Sequence, residues 1–280
     1  MKNKSINIKG TLTSLEEPIV MGILNVTPDS FYENSRKCTE KEIEERIQTI
    51  ISEGAAIIDL GGYSSRPDAA EVSPEEEMGR LSFALDILKK NYSETPVSVD
   101  TFRAGIARRC VEDYGVAIIN DIAGGGLDNK MFDTVAELQV PYIMMHMLGT
   151  PKTMQQFTNY DNLITDIIQY FSEKIRTLNL MGVNDVIIDP GFGFSKTVDQ
   201  NYKLMQHLKN FEVLGLPLLV GISRKSMIYK LLECTPAESL NGTTVLNTIA
   251  LLNGADILRV HDVKAAKEAI CIVSKHKNSL

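Results

Sequence analysis

Short runs of Val, Ile and Leu recur along the chain and set the pattern from which its elements are predicted. Each run is continuously apolar, which is typical of strands that are covered on both faces. The eight runs begin near residues 19, 55, 96, 116, 140, 185, 217 and 255. Between them lie segments with helical patterns, bounded by signals such as Ser73-Pro74-x-Glu76 at a helix start and Gly254 after a helix end.

Strict alternation of strand and helix through eight units predicts an α/β fold, a (β/α)8 TIM barrel, with a doubly wound open sheet as the less favoured alternative. The segment SINIKGTLTSL predicts an N-terminal β-hairpin that covers the bottom of the barrel. No linker, low-complexity tract or charge block divides the chain. We therefore expect residues 1–280 to form a single domain, in which residues 1–17 form the hairpin.

Composition and charge favour chemistry on small molecules over binding to nucleic acid or membrane. The chain has 280 residues, of which 44% are hydrophobic, and its formal net charge of -7 is spread along its length. Neither nucleic acid nor an anionic membrane is therefore an expected partner. Four cysteines lie far apart without a C-x-x-C pair, which argues against a zinc cage and a disulfide framework. With no signal-peptide pattern and no membrane-spanning run, we expect a cytoplasmic protein.

Nearly every predicted strand ends in a side chain that can titrate or form hydrogen bonds. In a (β/α)8 barrel the carboxyl ends of the strands meet at one face, where active sites are built. We therefore predict one polar ring at this face, formed by Asn25, Asp59, Asp100, Asn120, Asp121, His146, Asp189, Ser223, Arg224, Lys225, Arg259 and His261.

Three residues of this ring, Asp100, Asn120 and Asp189, are rich in hydrogen-bond acceptors. They follow strands whose ends face one another across a barrel mouth. Buried acceptors need donors, and a flat heterocycle with several N–H groups, such as a pterin, supplies them. For either carboxylate taken alone, the alternative is a helix cap or an ion pair with Lys225 or Arg259.

A second set of residues is cationic and comprises Arg66, Lys225, Arg259 and His261. Such groups, beside a polar loop that could hold Mg²⁺, fit a pyrophosphate, because Arg offers a bidentate fork and Mg²⁺ neutralises further charge. A solvated surface is the alternative for a lone arginine. Ser226 is predicted to begin a helix that could accept a carboxylate, although an ordinary N-cap is the simpler interpretation.

The sequence closely resembles the dihydropteroate synthase family of the folate pathway from about residue 18 to its end. Seven motifs carry the resemblance, in the family's order: MGILNVTPDSF, GGYSSRP, VSVDT, INDI, DPGFGF, GISRKS and RVHDV. The resemblance implies a transferase that condenses 6-hydroxymethyl-7,8-dihydropterin pyrophosphate with p-aminobenzoate. It also implies Mg²⁺ as a cofactor, a homodimer, and competition by sulfonamides.

The resemblance further implies roles for the residues that match the family's motifs. The pterin would contact Asp100, Asn120, Asp189 and Lys225. The pyrophosphate would contact Arg66, Arg259 and His261, and Asn25 would bind the metal. p-Aminobenzoate would contact Ser65, Arg66, Pro67, Phe194, Lys225 and Ser226. The catalytic residues would be Asp100, Lys225, Arg259 and His261.

The sequence departs from the family pattern at Tyr63, Ser65 and Asp68, where Glu, Thr and Gly are common. These departures bear on the rim of the p-aminobenzoate site. Two other interpretations remain open: a pterin-binding module of a corrinoid methyltransferase, and a catalytically inactive pterin-binding paralogue. The segments NVTPDSF and RKS argue against the first, and the complete polar ring argues against the second.

Overall fold

The alternating strands and helices form a barrel in the computed structural model, which describes residues 4–26, 39–64 and 71–279. The strands in these ranges are β1 (Ser5–Ile8), β2 (Thr11–Ser14), β3 (Ile19–Asn25), β4 (Ile57–Gly61), β5 (Val97–Asp100), β6 (Ile118–Asp121), β7 (Tyr142–Met145), β8 (Val186–Asp189), β9 (Leu219–Val220) and β10 (Ile257–Val260). The helices are α1 (Thr39–Ser52), α2 (Pro74–Asn91), α3 (Ala104–Tyr114), α4 (Met131–Leu138), α5 (Leu163–Leu180), α6 (Val198–Gln206), α7 (Ser226–Tyr229), α8 (Leu240–Leu252) and α9 (Val263–Lys277).

The parallel sheet contains all eight predicted strands, in the order β8-β7-β6-β5-β4-β3-β10-β9. Its two ends meet where Ile188 of β8 forms a parallel bridge with Leu218, the residue before β9. The Ile188 N–H donates to Pro217 O at 3.0 Å across the same junction. The predicted (β/α)8 barrel is therefore confirmed, and the open sheet is excluded. β9 is the shortest of the eight strands, with two residues.

Side-chain alternation along each strand gives the barrel an outer core and an inner core. Outward side chains such as Ile58 and Leu60 pack against the helices. Inward side chains near the strand starts form an apolar cluster of Met21, Ile57, Ile118, Ile143, Ile187, Leu219 and Ile257. Nearer the strand ends, polar residues face inward, and the strand register places Gly61 beside Asp100 and Asp100 beside Asn120. A continuous apolar run can therefore still deliver a polar group into the barrel mouth.

The predicted N-terminal hairpin is confirmed as the antiparallel pair β1 and β2. Its buried side chains join the inner apolar cluster through Ile6, Ile8 and Leu15. Lys4 pairs with Asp256, the residue before β10, at 2.6 Å. The hairpin therefore covers the N-terminal end of the barrel, opposite the face at which the polar strand ends meet.

The predicted helix boundaries agree with the local geometry. Ser73 accepts a hydrogen bond from the Glu76 N–H at 3.1 Å, while the Glu76 carboxylate pairs with Arg80 instead of completing a capping box. Gly54 and Gly254 follow α1 and α8 with φ values of 92° and 94°, which favour glycine. None of the described helices is long and apolar enough to cross a lipid bilayer.

Candidate active site

A pocket of about 220 Å³ opens at the C-terminal end of the barrel. Every strand of the barrel contributes to it, either directly or through the loop that follows. The sequence-predicted residues in its lining are Asn25, Asp100, Asn120, Asp189, Phe194, Ser223, Arg224, Lys225, Arg259 and His261. The structure thus brings most of the predicted polar ring to one cavity.

Several predicted residues lie elsewhere. Asp121 follows Asn120 on β6 and points to the opposite face, where it accepts hydrogen bonds from the Tyr142 hydroxyl at 2.6 Å and from two loop N–H groups. His146 is buried and is not part of the lining, and neither is Ser226, the first residue of α7. Three further predicted site residues lie outside the part of the chain that the structure describes: Ser65, Arg66 and Pro67.

A network of buried ions forms the base of the pocket. Arg259 donates from Nε to Asp59 Oδ2 at 2.5 Å and from Nη2 to Asp100 Oδ2 at 2.7 Å. Asn120 also donates to Asp59 Oδ2, at 3.1 Å, while Asp59 Oδ1 has no hydrogen-bond partner among the described residues. Asp100 therefore forms the ion pair that the sequence left open as an alternative, and it still lines the cavity.

The charges of this network are set by burial and by one another. Burial raises the pKa of Asp100 to about 7, against the opposing effect of Arg259. Burial alone would lower the pKa of Arg259, but Asp59 and Asp100 outweigh it and raise that pKa above its ordinary value. The guanidinium is therefore a fixed charge, and Asp100 can change its protonation near neutral pH.

Asp189 ends β8 and Lys225 precedes α7, and the two are close enough for each to shift the pKa of the other. Asp189 Oδ1 accepts the Gly191 N–H at 2.8 Å, and burial raises the pKa of this carboxyl, with Lys225 opposing. Lys225 Nζ donates to Phe192 O at 2.5 Å and lies 4.6 Å from the centre of the Phe194 ring. Burial lowers the pKa of Lys225 to about 8, although Asp189 counteracts it. The amine thus contacts Phe192 and Phe194 and interacts electrostatically with Asp189.

On the side of the pocket that includes His261 and Arg224, the imidazole is neutral and the guanidinium is paired with a carboxylate. Burial, together with the charge of Arg259, lowers the pKa of His261 to about 4. The Ser223 hydroxyl accepts the His261 backbone N–H at 3.2 Å and lies 3.0 Å from Nδ1. When this hydroxyl donates to Nδ1, the ring proton lies on Nε2. Arg224 is bound by both oxygens of Asp262, at 2.9 and 2.7 Å.

Asn25 ends β3 beside Gly61, and the absence of a side chain there makes room for it. A β-carbon on Gly61 would lie 3.0 Å from Asn25 Oδ1. Among the described residues no group of three His, Cys, Asp or Glu side chains could hold a metal ion. Mg²⁺ commonly keeps several waters and uses few protein ligands together with substrate phosphates. A single amide oxygen therefore fits a Mg²⁺ ion that is carried mainly by a pyrophosphate.

Sequence reasoning missed the apolar wall of the pocket. Ile122 and Met145 belong to the lining and pack with Phe194 in one buried cluster. Both lie at or just beyond a strand end, where their apolar character does not stand out from the strand itself. Tyr63, one of the departures from the family pattern, packs its ring edge-on against the Phe102 ring, with ring centroids 5.2 Å apart.

Comparison with known proteins agrees with this geometry. A sequence model of the family described as pterin binding enzymes matches residues 21–261. The barrel and its polar pocket therefore define a pterin-binding enzyme.

Individual relatives identify the family within the pterin-binding enzymes. Dihydropteroate synthase of Escherichia coli (strain K12) is 42% identical over 267 residues, covering 95% of this chain and 94% of the relative. The Bacillus subtilis (strain 168) synthase is 39% identical and covers 90% of this chain and 86% of its own. A crystal structure of the Yersinia pestis synthase in a sulfonamide drug complex superposes with a TM-score of 0.91 at 39% identity, covering 98% of this chain and 99% of that one. The chain belongs to the dihydropteroate synthase family.

Proposed function

We propose that this chain condenses 6-hydroxymethyl-7,8-dihydropterin pyrophosphate with p-aminobenzoate to give 7,8-dihydropteroate and pyrophosphate in folate biosynthesis. The observation that carries the proposal is the convergence of Asp100, Asn120, Asp189 and Lys225 on one pocket of a synthase-family barrel. Similarity over 95% of the chain to named synthases supports this reaction over methyl transfer in a corrinoid system.

The pterin ring would lie across the acceptor side of the pocket. Its amino and ring N–H groups would donate to Asp100, Asn120 and Asp189, which line the cavity. Lys225 would donate to a ring acceptor, and the flat faces would meet the apolar wall at Ile122 and Met145. These polar groups lie at the ends of barrel strands, so they are held in place before the ligand arrives.

The chemistry follows the movement of charge. The bond between the pterin methylene carbon and the pyrophosphate oxygen breaks, and its electron pair leaves with the pyrophosphate. Positive charge develops on the pterin, where ionised Asp100 stabilises it. The arylamine nitrogen then attacks the methylene carbon, forms the new C–N bond and loses a proton to solvent or to the leaving group. A pKa of about 7 leaves Asp100 able to ionise at the pH of a cell.

The leaving group requires cationic or donor groups on the opposite side. The Arg259 side chain and the His261 ring line this part of the pocket, and Asn25 would be the protein ligand of a Mg²⁺ ion. When bound, Mg²⁺ supplies charge neutralisation of the pyrophosphate oxygens. A neutral His261 donates one hydrogen bond, and its pKa would rise beside the phosphate anion.

p-Aminobenzoate would bind at the outer side of the pocket, with its ring beside Phe194 and its carboxylate toward Lys225. The sulfonamide complex of the Yersinia pestis relative supports a site that such drugs can occupy. The environment of Tyr63 gives no reason to expect a rim that rejects a sulfonyl group.

We propose a cytoplasmic homodimer. Helix α8 is apolar on two faces, because Leu246 and Leu251 are buried while Val245, Ile249 and Leu252 form an exposed stripe at positions i, i+4 and i+7. Such a stripe is typical of a helix that packs against a second copy. The described cysteines are free thiols, which fits a reducing compartment.

The decisive experiment measures pyrophosphate release from the dihydropterin pyrophosphate with and without p-aminobenzoate. We expect release that depends on p-aminobenzoate and yields dihydropteroate in equal amount. Binding of the pterin without release would indicate a catalytically inactive paralogue.

A matched pair of variants on β8 and the residue before it tests the assignment of the site. Asp189→Asn should reduce pterin affinity by more than about 2 kcal/mol, because a buried donor of the ligand loses its acceptor. Asp185→Asn makes the same change at the opposite end of the strand, where the carboxylate accepts the Asn7 N–H, and should leave pterin affinity unchanged. Wild-type affinity in Asp189→Asn, measured by calorimetry, would contradict the assignment.

A further inference from the structure

Lys196 is a buried amine that does not line the pocket. Its side chain is 3% exposed and donates to two backbone carbonyls, Gly191 O and Phe194 O, each at 3.0 Å. The Nδ1 atom of His146, at the end of β7, lies 3.1 Å from the same amine. Three partners around one nitrogen match the three donors of an ammonium group.

The loop from residue 191 to 194 is fixed at almost every polar group. The Gly191 N–H donates to Asp189 at 2.8 Å, and the Gly193 N–H donates to Asn201 Oδ1 at 2.7 Å. A β-carbon on Gly191 would lie 2.0 Å from His146 O, so the loop packs directly on the end of β7. Lys196 adds two further contacts, since it binds the first and last carbonyls of the loop.

This loop carries the two groups that shape the outer side of the pocket. Phe192 O accepts the hydrogen bond from Lys225 Nζ. The Phe194 ring lies 4.6 Å from the same amine and forms part of the lining. The positions of Lys225 and of the Phe194 ring therefore depend on a loop whose carbonyls Lys196 binds.

The hydrogen bonds from Lys196 to the two loop carbonyls do not depend on the charge of its amine. Burial lowers the pKa of Lys196 to about 7, with Asp189 opposing and Lys225 adding to the effect. A neutral amine still has two N–H groups for the two carbonyls, and its lone pair can accept from His146 Nδ1. Both carbonyl contacts are thus maintained on either side of neutral pH.

We propose that Lys196 is a positioning residue for the arylamine substrate: it fixes the loop from 191 to 194 and thereby places Lys225 and Phe194. The pterin is affected less, because three of its four proposed contacts, Asp100, Asn120 and Asp189, belong to barrel strands and not to this loop, while Lys225 is shared between the two substrates. This inference rests on the proposed function, since it names the substrate whose binding the loop controls.

The test compares Lys196→Met with Lys174→Met in the full-length enzyme. Lys174 is the matched control, because it is partly buried and also donates to a glycine carbonyl of a loop, Gly124 O, at 2.8 Å. Steady-state kinetics gives kcat and KM for p-aminobenzoate. Calorimetry with a pterin that lacks pyrophosphate gives pterin affinity and the fraction of competent sites.

We expect Lys196→Met to raise KM for p-aminobenzoate about tenfold or more, because a small misplacement of positioning groups is costly. Pterin affinity should stay within about threefold, and Lys174→Met should leave both constants within about threefold. An unchanged KM in Lys196→Met, or equal losses for both substrates, would overturn the inference.

A milder variant keeps the test decisive if the methionine variant does not fold. Lys196→Gln retains an amide donor in the same space, and we expect a rise in KM of about threefold or more, since fewer carbonyls can be held. An unchanged KM would overturn the inference. Failure of the wild-type enzyme to release pyrophosphate would instead contradict the proposed function, so the two failures are distinguishable.

Discussion

Replacing Arg259 by Met tests how much of the barrel's stability depends on the ions at the base of the pocket. The substitution keeps the apolar part of the side chain and removes the guanidinium. Among the described residues, Asp59 then keeps a hydrogen bond from Asn120 alone, and Asp100 loses its ion pair with Arg259. Asp59 is fully buried, so in the folded protein its carboxylate has no solvent contact to offset the lost donor.

The expected loss of unfolding free energy is about 3 to 5 kcal/mol, which is typical when one partner of a buried ion pair is removed. The matched control is Arg224→Met, whose ion pair with Asp262 is about a quarter exposed, with side-chain exposures of 28% and 23%. We expect about 1 kcal/mol there, because solvent screens such a pair. A double variant, Asp59→Asn with Arg259→Met, should regain part of the loss because it removes an uncompensated buried charge.

The loss should grow with pH. The folded-state pKa of Asp100 is raised above the ordinary value to about 7, so its contribution to stability is present at low pH and is lost as pH rises through 7. Without Arg259 this pKa rises further, and the decline continues above pH 7 by up to about 1.4 kcal/mol per pH unit.

Urea unfolding followed by circular dichroism at pH 6 and pH 8 measures both effects. A loss below about 1 kcal/mol at both pH values, or a loss equal to that of Arg224→Met, would refute the reasoning.

Three further outcomes are expected. Asn25→Ala should weaken the Mg²⁺-dependent binding of the pterin pyrophosphate while sparing a pterin without pyrophosphate, and equal losses in calorimetry would make Asn25 structural. The affinity for p-aminobenzoate should fall as pH rises through about 8, where Lys225 loses its proton, and Lys225→Met should abolish this dependence in a pH series of KM. A simple sulfonamide should compete with p-aminobenzoate with an inhibition constant within about tenfold of KM, and a hundredfold gap would show discrimination at the rim.

The barrel could be predicted because two independent patterns agree. Continuous apolar runs indicate covered parallel strands, and their regular alternation with helices indicates closure. The short strand β9 shows the limit of the method, since the run around Pro217 predicted a full strand and the structure has two residues. A sequence pattern records which residues are apolar, but the number of paired backbone groups depends on neighbouring strands.

The candidate site was predictable as a ring but not in its pairings. Position at a strand end placed Asp100 and Asp189 at the pocket, whereas only the barrel geometry brings Arg259 to Asp59 and Asp100 together. Lys196 gave no signal, because a lysine in a loop normally lies in solvent. Its burial follows from contacts with two carbonyls that are close only after folding.

The N-terminal hairpin has a consequence for the order in which substrates bind and products leave. Within the described part of the chain, Ile6 and Ile8 close one end of the barrel against its inner apolar cluster. Both substrates and both products must therefore use the same opening. With the pterin at Asp189 and the arylamine beside Phe194, as proposed above, the outer ligand would block the exit of the inner one. We therefore expect an ordered mechanism in which the pterin binds before the arylamine. An excess of arylamine should inhibit the pterin-free enzyme by blocking entry of the pterin.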